Sequence, residues 1–398
     1  VKNIKETVQN LATQVLDEVI SHRRHFHQNP ELSFEEFETS KYIQNWLTEN
    51  GISFKSGFVK TGIVAEIKGN LPSDKVLALR TDMDALPIHE TNDFDFKSKN
   101  DGVMHACGHD VHSASIMGTI LILNQLKDHF GGTIKFIFQP GEEKLPGGAK
   151  LMIEEGALDN PTPNGILGQH VYPDLPAGKV GFRSGMYMAS ADEIYITVTG
   201  KGGHAALPER LVDPILISSH LVVALQQIVS RRNNPKTPSV VSIGHIEGIG
   251  ATNVIPNQVH LKGTFRTFDE DWRFEAHKLM KNLAKGLVEG MGGEVDFDIH
   301  VGYPSVYNNP ELSDRNQQHA IDFLGKDNVV DLDLRMTAED FSWYSQKFPG
   351  CFYRLGTAPQ SGEYFGLHTP NFNVDEAALE TGIGLMSYLA IQELNNEL

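Results

Sequence analysis

An α/β fold is predicted from this sequence: a doubly wound, mostly parallel sheet interrupted by a ferredoxin-like α+β insertion. Three observations carry the prediction. Helix-period and strand-period segments alternate through the first part of the chain. The middle changes to the order β-α-β-β-α-β. After it, helix and strand signals alternate again. The expected domains are residues 1–186 and 301–398, two parts of one discontinuous domain, with an inserted domain over residues 187–300.

In chain order, Thr7 to Ile20 and Ser33 to Asn50 are amphipathic at helical spacing, the second closed by Gly51. Gly62 to Lys68 and Val76 to Arg80 read as strands, and Asp110 to Asn124 as a helix with Asp110 at its cap. Thr133 to Gln139 is a strand stopped by Pro140 and Gly141, and Ile166 to Gln169 is a short apolar run before His170. The insertion contributes strand Glu193 to Thr199, helix Asp213 to Arg231, strands Ser239 to Glu247 and Gln258 to Phe268, helix Asp269 to Gly290 and strand Gly293 to His300. Helix Ser313 to Gly325, strand Cys351 to Leu355 and helix Asp375 to Leu394 complete the chain.

Composition narrows the function. The 398 residues include 34 Lys and Arg against 51 Asp and Glu, a formal net charge of −17. A chain that acidic repels phosphate backbones and anionic lipid headgroups, which argues against nucleic-acid and membrane partners. No apolar stretch approaches the ~20 residues that cross a bilayer. Val1 to Asn10 is polar and mixed in charge, unlike a signal peptide, so a cytoplasmic protein is expected. Two cysteines exclude a disulfide framework, and 17 histidines with the carboxylates remain as the ligand supply.

Polar clusters follow apolar strand-like runs: Asp82 and Asp84 after VLALR, Glu142 and Glu143 after TIKFIFQPG, His170 after ILGQ, and His368 beyond CFYRLG. In open α/β sheets, sites form in the crevice beyond the carboxyl ends of the strands. Cys107 and His109, two apart across Gly108, offer a thiolate and an imidazole to one face if the segment is extended, a pair suited to a borderline divalent metal. Glu142 and Glu143 would face opposite ways in an extended segment, one free to bind metal and the other to act as a general base. Asp82 and Asp84 share a face and suit either direct metal binding or, the reading favoured, the support of a ligating histidine. Read singly, each is equally a cap, a surface charge or a packing residue; His25, His27 and Cys351 read as structural.

These residues lie in motifs that resemble one family. They are RRHFHQNPELSFEE from Arg23, LRTDMDALP from Leu79, MHACGHD from Met104, FQPGEE from Phe138, GGAK from Gly147, GGHA from Gly202, NVIPN from Asn253, GTFR from Gly263, TAEDF from Thr337 and LHTP from Leu367. The set, running from Arg23 to about Asp375, is similar to the aminoacylase/carboxypeptidase metallohydrolases. Within them it resembles the branch of hippurate hydrolases, N-acyl-L-amino acid amidohydrolases, N-acetyldiaminopimelate deacetylases and auxin-conjugate hydrolases. The resemblance implies a doubly wound metallohydrolase domain with an inserted dimerisation (lid) domain. It implies two divalent metal ions per chain, held by Cys107, His109, Glu143, His170 and His368, with Cys107 between them. It makes Glu142 the general base and Asp84 the support of a ligating group. His204 is implied as a catalytic residue serving the partner subunit of a homodimer or larger assembly, and Asn253 and Arg266 as holders of a substrate carboxylate.

The expected reaction is hydrolysis of the amide of an N-acyl-L-amino acid by a metal-activated water. Thiolate, imidazole and carboxylate ligands admit Zn or Mn first, and Co or Ni as alternatives. A dipeptidase or carboxypeptidase would use the same site. A non-catalytic metal-binding protein would have no use for a second, non-ligating carboxylate such as Glu142.

Overall fold

The computed structural model describes residues 4–360 and 364–396. In chain order the elements are α1 (Ile4–Gln28), α2 (Phe37–Glu49), β1 (Ser53–Phe58), β2 (Gly62–Lys68), β3 (Leu71–Asp82), α3 (His109–Gln125), β4 (Gly131–Gln139), α4 (Gly148–Glu154), β5 (Gly165–Pro176), β6 (Val180–Phe182) and β7 (Gly185–Met188). They continue with β8 (Asp192–Thr199), β9 (Gly203–His204), α5 (Pro214–Gln227), β10 (Ser239–Glu247), β11 (Val254–Ile255), β12 (Gln258–Thr267), α6 (Glu270–Gly290) and β13 (Glu294–Val301). The last are β14 (Val306–Asn308), α7 (Pro310–Leu324), β15 (Val329–Asp331), α8 (Ser342–Ser345), β16 (Gly350–Ala358) and α9 (Ala378–Asn395). The chain forms two compact units, one of residues 1–185, 307–333 and 340–398, the other of residues 186–306 with the short segment 334–339.

The first unit is built on an eight-stranded sheet in the order β1-β2-β4-β3-β5-β16-β6-β15. Its centre, β4-β3-β5-β16, is parallel. β6/β15 is parallel too, and the pairs β1/β2, β2/β4 and β6/β16 are antiparallel, so four of the seven pairings are parallel and the sheet is mixed towards its edges. Two of the antiparallel pairings involve segments that carry little periodic signal, the largely exposed β1 and the three-residue β6. The centre reads as near-continuous apolar runs, as strands covered on both faces do. From β3 the chain crosses through α3 to β4 on one side, then through α4 back to β5 on the other. Strand order therefore reverses at β3, where open α/β sheets place their sites.

Helix ends depart from the predicted ones for physical reasons. The apolar stripe of α1 (Val8, Ala12, Val19, Phe26) predicts only its middle, but the helix runs on because His22, Arg23 and His27 are buried with polar partners. α2 starts at Phe37 because Phe34 takes a left-handed φ of 67°, its N–H donating to Glu36 Oε1 at 2.8 Å. Asp110 is not a cap. α3 begins at His109 after Gly108, and the Asp110 carboxylate turns inward to Arg23 and His27. α3 is buried on almost every side, packed against α1 and α9.

The second unit has the sheet order β10-β12-β8-β13, antiparallel throughout, which is the ferredoxin-like arrangement. Ile194, Ile196 and Val198 alternate inward on β8 to meet Leu221 and Leu225 of α5 and Ala276, Met280 and Ala284 of α6. Asp213 caps α5 through the Ile215 N–H at 2.9 Å, and Asp269 caps α6 through that of Trp272 at 2.9 Å.

Candidate metal centre

β3 ends on Asp82, at the reversal point. Its Oδ1 accepts from His112 Nδ1 at 2.6 Å and its Oδ2 from Arg80 at 2.7 Å. Burial opposes ionisation of Asp82, but His109, Arg80 and His112 outweigh it and hold the carboxyl well below its usual range. His112 Nε2 in turn accepts the backbone N–H of Val171 at 2.9 Å. Both ring nitrogens of His112 are thus engaged, and what it does is fix the β5 backbone next to His170.

Cys107 and His109 converge by a different route from the extended one. Gly108 between them is left-handed (φ 84°), and a Cβ there would stand 2.4 Å from Val171 Cγ2, so the bend requires glycine. The bend turns Cys107 Sγ towards His170 Nε2 at 3.6 Å. His170 donates from Nδ1 to the Val171 carbonyl at 2.8 Å, and His109 from Nδ1 to the Asp84 carbonyl at 2.8 Å. A carbonyl only accepts, so in both rings Nδ1 carries a proton and Nε2 is the nitrogen turned to the site.

Glu142 and Glu143 lie in a bend after β4, not in extended chain. Gly141 (φ 61°) makes the bend, and its N–H donates to the buried Glu36 Oε1 at 2.8 Å. Asp84 holds the other side: its Oδ2 accepts from the Glu143 N–H at 2.9 Å and from Ser33 Oγ at 2.7 Å, while Oδ1 lies 3.2 Å from His109 Nδ1. One carboxylate thus orients the residues of two strand ends. Glu142 Oε1 accepts from the Asp340 N–H at 3.3 Å, and Asp340 is itself held by Gln139, Arg80 and the Ala149 N–H.

His368 arrives on the loop after β16. Its backbone (φ 61°) is tied by its N–H to the Ala106 carbonyl at 2.8 Å, and its Nε2 lies 3.4 Å from Cys107 Sγ and 3.2 Å from Glu143 Oε1. Two overlapping groups result, Cys107–His109–His170 and Cys107–Glu143–His368, with ligand atoms within 4.8 Å of one another in each and Cys107 common to both. These spacings are of the size that two ligands of one divalent ion make when each sits about 2.0–2.3 Å from it.

The donors fit such ions. His109 Nε2 is buried without a hydrogen bond, a cost of about 1–3 kcal/mol that coordination would remove. Burial, then Glu143, Glu142 and Asp82, pushes the Cys107 thiol well up. Burial also opposes charging His109, yet Asp82 and Asp84 overcome it and raise that pKa to about 10. Both shifts have one origin: a buried surplus of negative charge that a cation balances.

In the second unit, His204 on β9 pairs in register with Val254 of β11, and the Ala205 N–H donates to the Asn253 carbonyl at 3.0 Å. His204 is exposed. Its Nδ1 accepts from the Ala206 N–H at 3.1 Å, which leaves Nε2–H as a donor. Arg266 is half-buried on β12, donating to Thr264 Oγ1 at 3.2 Å and the Met336 carbonyl at 3.4 Å. β9 and β11 adjoin the Gln258 end of β12 through Asn257, whereas Arg266 is eight residues along that strand, roughly 26 Å away. Within one chain, then, Asn253 and Arg266 do not form a single cradle.

Sequence reasoning missed His112, Asp340, Glu36 and Ser33. His112 left a signal, three residues after His109 on one helix face, and Ser33, Glu36 and Asp340 lie inside the motifs that carry the resemblance, with no role assigned there. The others reach the site from distant positions.

Residues 78–392 match the model of Peptidase family M20/M25/M40. N-acetylcysteine deacetylase of Bacillus subtilis is 40% identical over 374 residues, covering 94% of this chain and 96% of that protein. Thermostable carboxypeptidase 2 of Saccharolobus solfataricus is 39% identical over 398 residues, 99% of this chain and 100% of that protein. The crystal structure of the Bacillus subtilis YXEP protein, described as a dinuclear metal binding peptidase, superposes with a TM-score of 0.83 at 37% identity, covering 97% of this chain and 100% of that one.

Proposed function

The chain belongs to peptidase family M20/M25/M40 and is a metal-dependent amidohydrolase, and from that premise we propose that its substrates are N-acyl-L-amino acids. The observation that carries the proposal is a five-residue ligand cluster with a further carboxylate, Glu142, directly beside the ligand Glu143. The deacetylase relative, named for an N-acetylated amino acid, supports the acyl group.

On this reading, Cys107, His109 and His170 would hold one divalent ion and Cys107, Glu143 and His368 a second. Bound there, the ions supply Lewis acidity and lower the pKa of water towards neutrality. Glu142 takes the proton of the attacking water and passes it to the leaving nitrogen. His204 donates from Nε2–H to the developing oxyanion. The separation of His204 and Asn253 from Arg266 supports a homodimer in which the first two serve the partner subunit. Arg266 holds the substrate carboxylate, which a guanidinium can grip bidentately.

Hydrolysis of N-acetyl amino acids, of the same compounds amidated at the carboxyl, and of free dipeptides tests the proposal. Acids should be cleaved well and their amides poorly. Arg266→Ala should cost the acids about 1.5–3 kcal/mol, roughly one to two decades in kcat/KM, and the amides far less. Equal wild-type rates on acid and amide would overturn the substrate assignment. Rapid turnover of free dipeptides with inert N-acetyl compounds would favour the peptidase reading instead, the one for which the Saccharolobus carboxypeptidase speaks.

A further inference from the structure

Arg23 is fully buried near the end of α1, away from any group that the proposed chemistry uses. Its three guanidinium nitrogens go to two separate stretches of chain. Nε donates to Asp110 Oδ2 at 2.8 Å. The two terminal nitrogens donate to Glu376 Oε1 at 3.2 Å and to Asn373 Oδ1 at 3.1 Å. The Phe96 ring covers the guanidinium, 4.8 Å from Cζ to the ring centroid. Asp110 directly follows His109 at the start of α3, and Asn373 and Glu376 lie five and eight residues after His368. One buried, planar, multidentate cation therefore joins the segment that carries Cys107 and His109 to the loop that carries His368.

The two attachments are not equally dependent on it. The Asp110 oxygen that Arg23 touches also accepts from His27 Nδ1 at 2.8 Å, and His27 is braced on its far side by Glu90 at 3.0 Å. α3 is moreover packed between α1 and α9. The start of α3 thus has support besides Arg23. The His368 loop has backbone ties, from its own N–H to the Ala106 carbonyl at 2.8 Å, from the Thr91 N–H to the Pro370 carbonyl at 2.8 Å and from the Asp375 N–H to the Thr357 carbonyl at 2.9 Å, and to these Arg23 adds a buried cation bound to the loop's side chains. Glu376 also pairs with Arg24, whose side chain is half exposed, and an exposed ion pair contributes little. The inward hold on Asn373 is from Arg23.

We infer that Arg23 is a positioning residue for the second of the two ion sites: it holds the His368 loop against the start of α3 and so sets the affinity of the Cys107–Glu143–His368 group, leaving the Cys107–His109–His170 group largely to other supports. The inference rests on the two-ion reading above. A lysine cannot replace it, because a single ammonium reaches Asp110 or Asn373 but lacks the fork that spans both.

Stepwise titration of metal-free protein with Co²⁺, followed by calorimetry and by the visible spectrum, tests it. The wild type should take up two ions. In Arg23→Lys and in Asn373→Ala the first ion should bind as in the wild type. The second should bind about 10- to 100-fold more weakly, the usual cost of losing a partner that orients a ligand. Its share of the cobalt spectrum should appear only at the higher metal concentration. Asn373→Ala removes the tether without disturbing the buried cation, so a failure of the Arg23 variant to fold leaves the inference open to refutation. Equal weakening of both ions, or wild-type affinity for both in Asn373→Ala, would overturn it. A wild type that binds only one ion would instead refute the two-ion reading itself.

Discussion

Glu142 and Glu143 share a bend and a residue type, and their surroundings separate them. Glu143 turns its buried Oε1 to His368 Nε2 at 3.2 Å, while its backbone N–H is fixed by Asp84. Glu142 accepts the Asp340 N–H and is absent from both groups that share Cys107, although its carboxylate lies within 4.8 Å of donors of His109 and Glu143. Glu142→Gln keeps the size and the acceptor while removing the base. It should lower kcat by about 10²–10⁴ with metal content unchanged. Glu143→Gln should lose metal before it loses anything else. Elemental analysis beside steady-state kinetics separates the two, and an exchange of phenotypes would mean the roles are reversed. The sequence marks both as candidates, because residue type and position after a strand restrict the chemistry. Their conformation is not legible there. Adjacent residues oppose one another only in extended chain, and Gly141 makes a bend, by a left-handed conformation that the Phe34 ring closes over.

Elements meet at Glu36, the residue just before α2. It is fully buried, takes the N–H groups of Phe34 and Gly141 on one oxygen and Thr61 Oγ1 on the other, and so joins the entry of α2 to the bend after β4. Burial first, and then the nearby Asp84 carboxylate, raises its pKa from 4.5 to about 7. A carboxyl whose pKa is raised on folding keeps its proton in the native state after the unfolded chain has lost it. Its contribution to stability therefore falls as pH rises from about 4.5 to about 7 and is level above, a total of about 3 kcal/mol. Glu36→Gln lacks that slope. Measured in urea with a chelator present, the variant should gain on the wild type between pH 5 and pH 8; a pH-independent difference would show that Glu36 ionises alike in both states. Such a junction is invisible in sequence. Hydrophobic periodicity announced the interiors of α1, α3 and the central strands, since it reports which face is buried. It carries no term for a carboxylate that closes a turn about a hundred residues away, or for Arg80 meeting Asp340 across 260 positions.

At the scale of the whole molecule, the proposed function draws on residues that the ferredoxin-like unit does not place together. The ferredoxin-like unit was legible from its β-α-β-β-α-β order, and the structure has that order, with β10-β12-β8-β13 as its sheet. Less legible was the spacing along β12: Asn253, 13 residues before Arg266 in sequence, lies next to β11 beyond the Gln258 end of β12, and Arg266 lies near the other end of that strand. A substrate carboxylate and a tetrahedral centre a few ångströms apart cannot both be met by two groups roughly 26 Å apart on one rigid strand. If His204 and Arg266 act on one substrate, two chains supply them, and a two-fold assembly makes that exchange reciprocal. The argument predicts complementation. His204→Ala and Glu142→Gln subunits, each inactive alone, should regain activity when mixed and re-equilibrated. In every heterodimer, one site then combines an intact Glu142 with an intact His204 from the other chain, while the second site lacks both. The regain should rise with the heterodimer fraction measured by native mass spectrometry. Heterodimers that form and stay inactive would return His204 to its own chain's site or to none. The spacing along β12 would then have to be reconciled with Arg266 holding something other than the substrate.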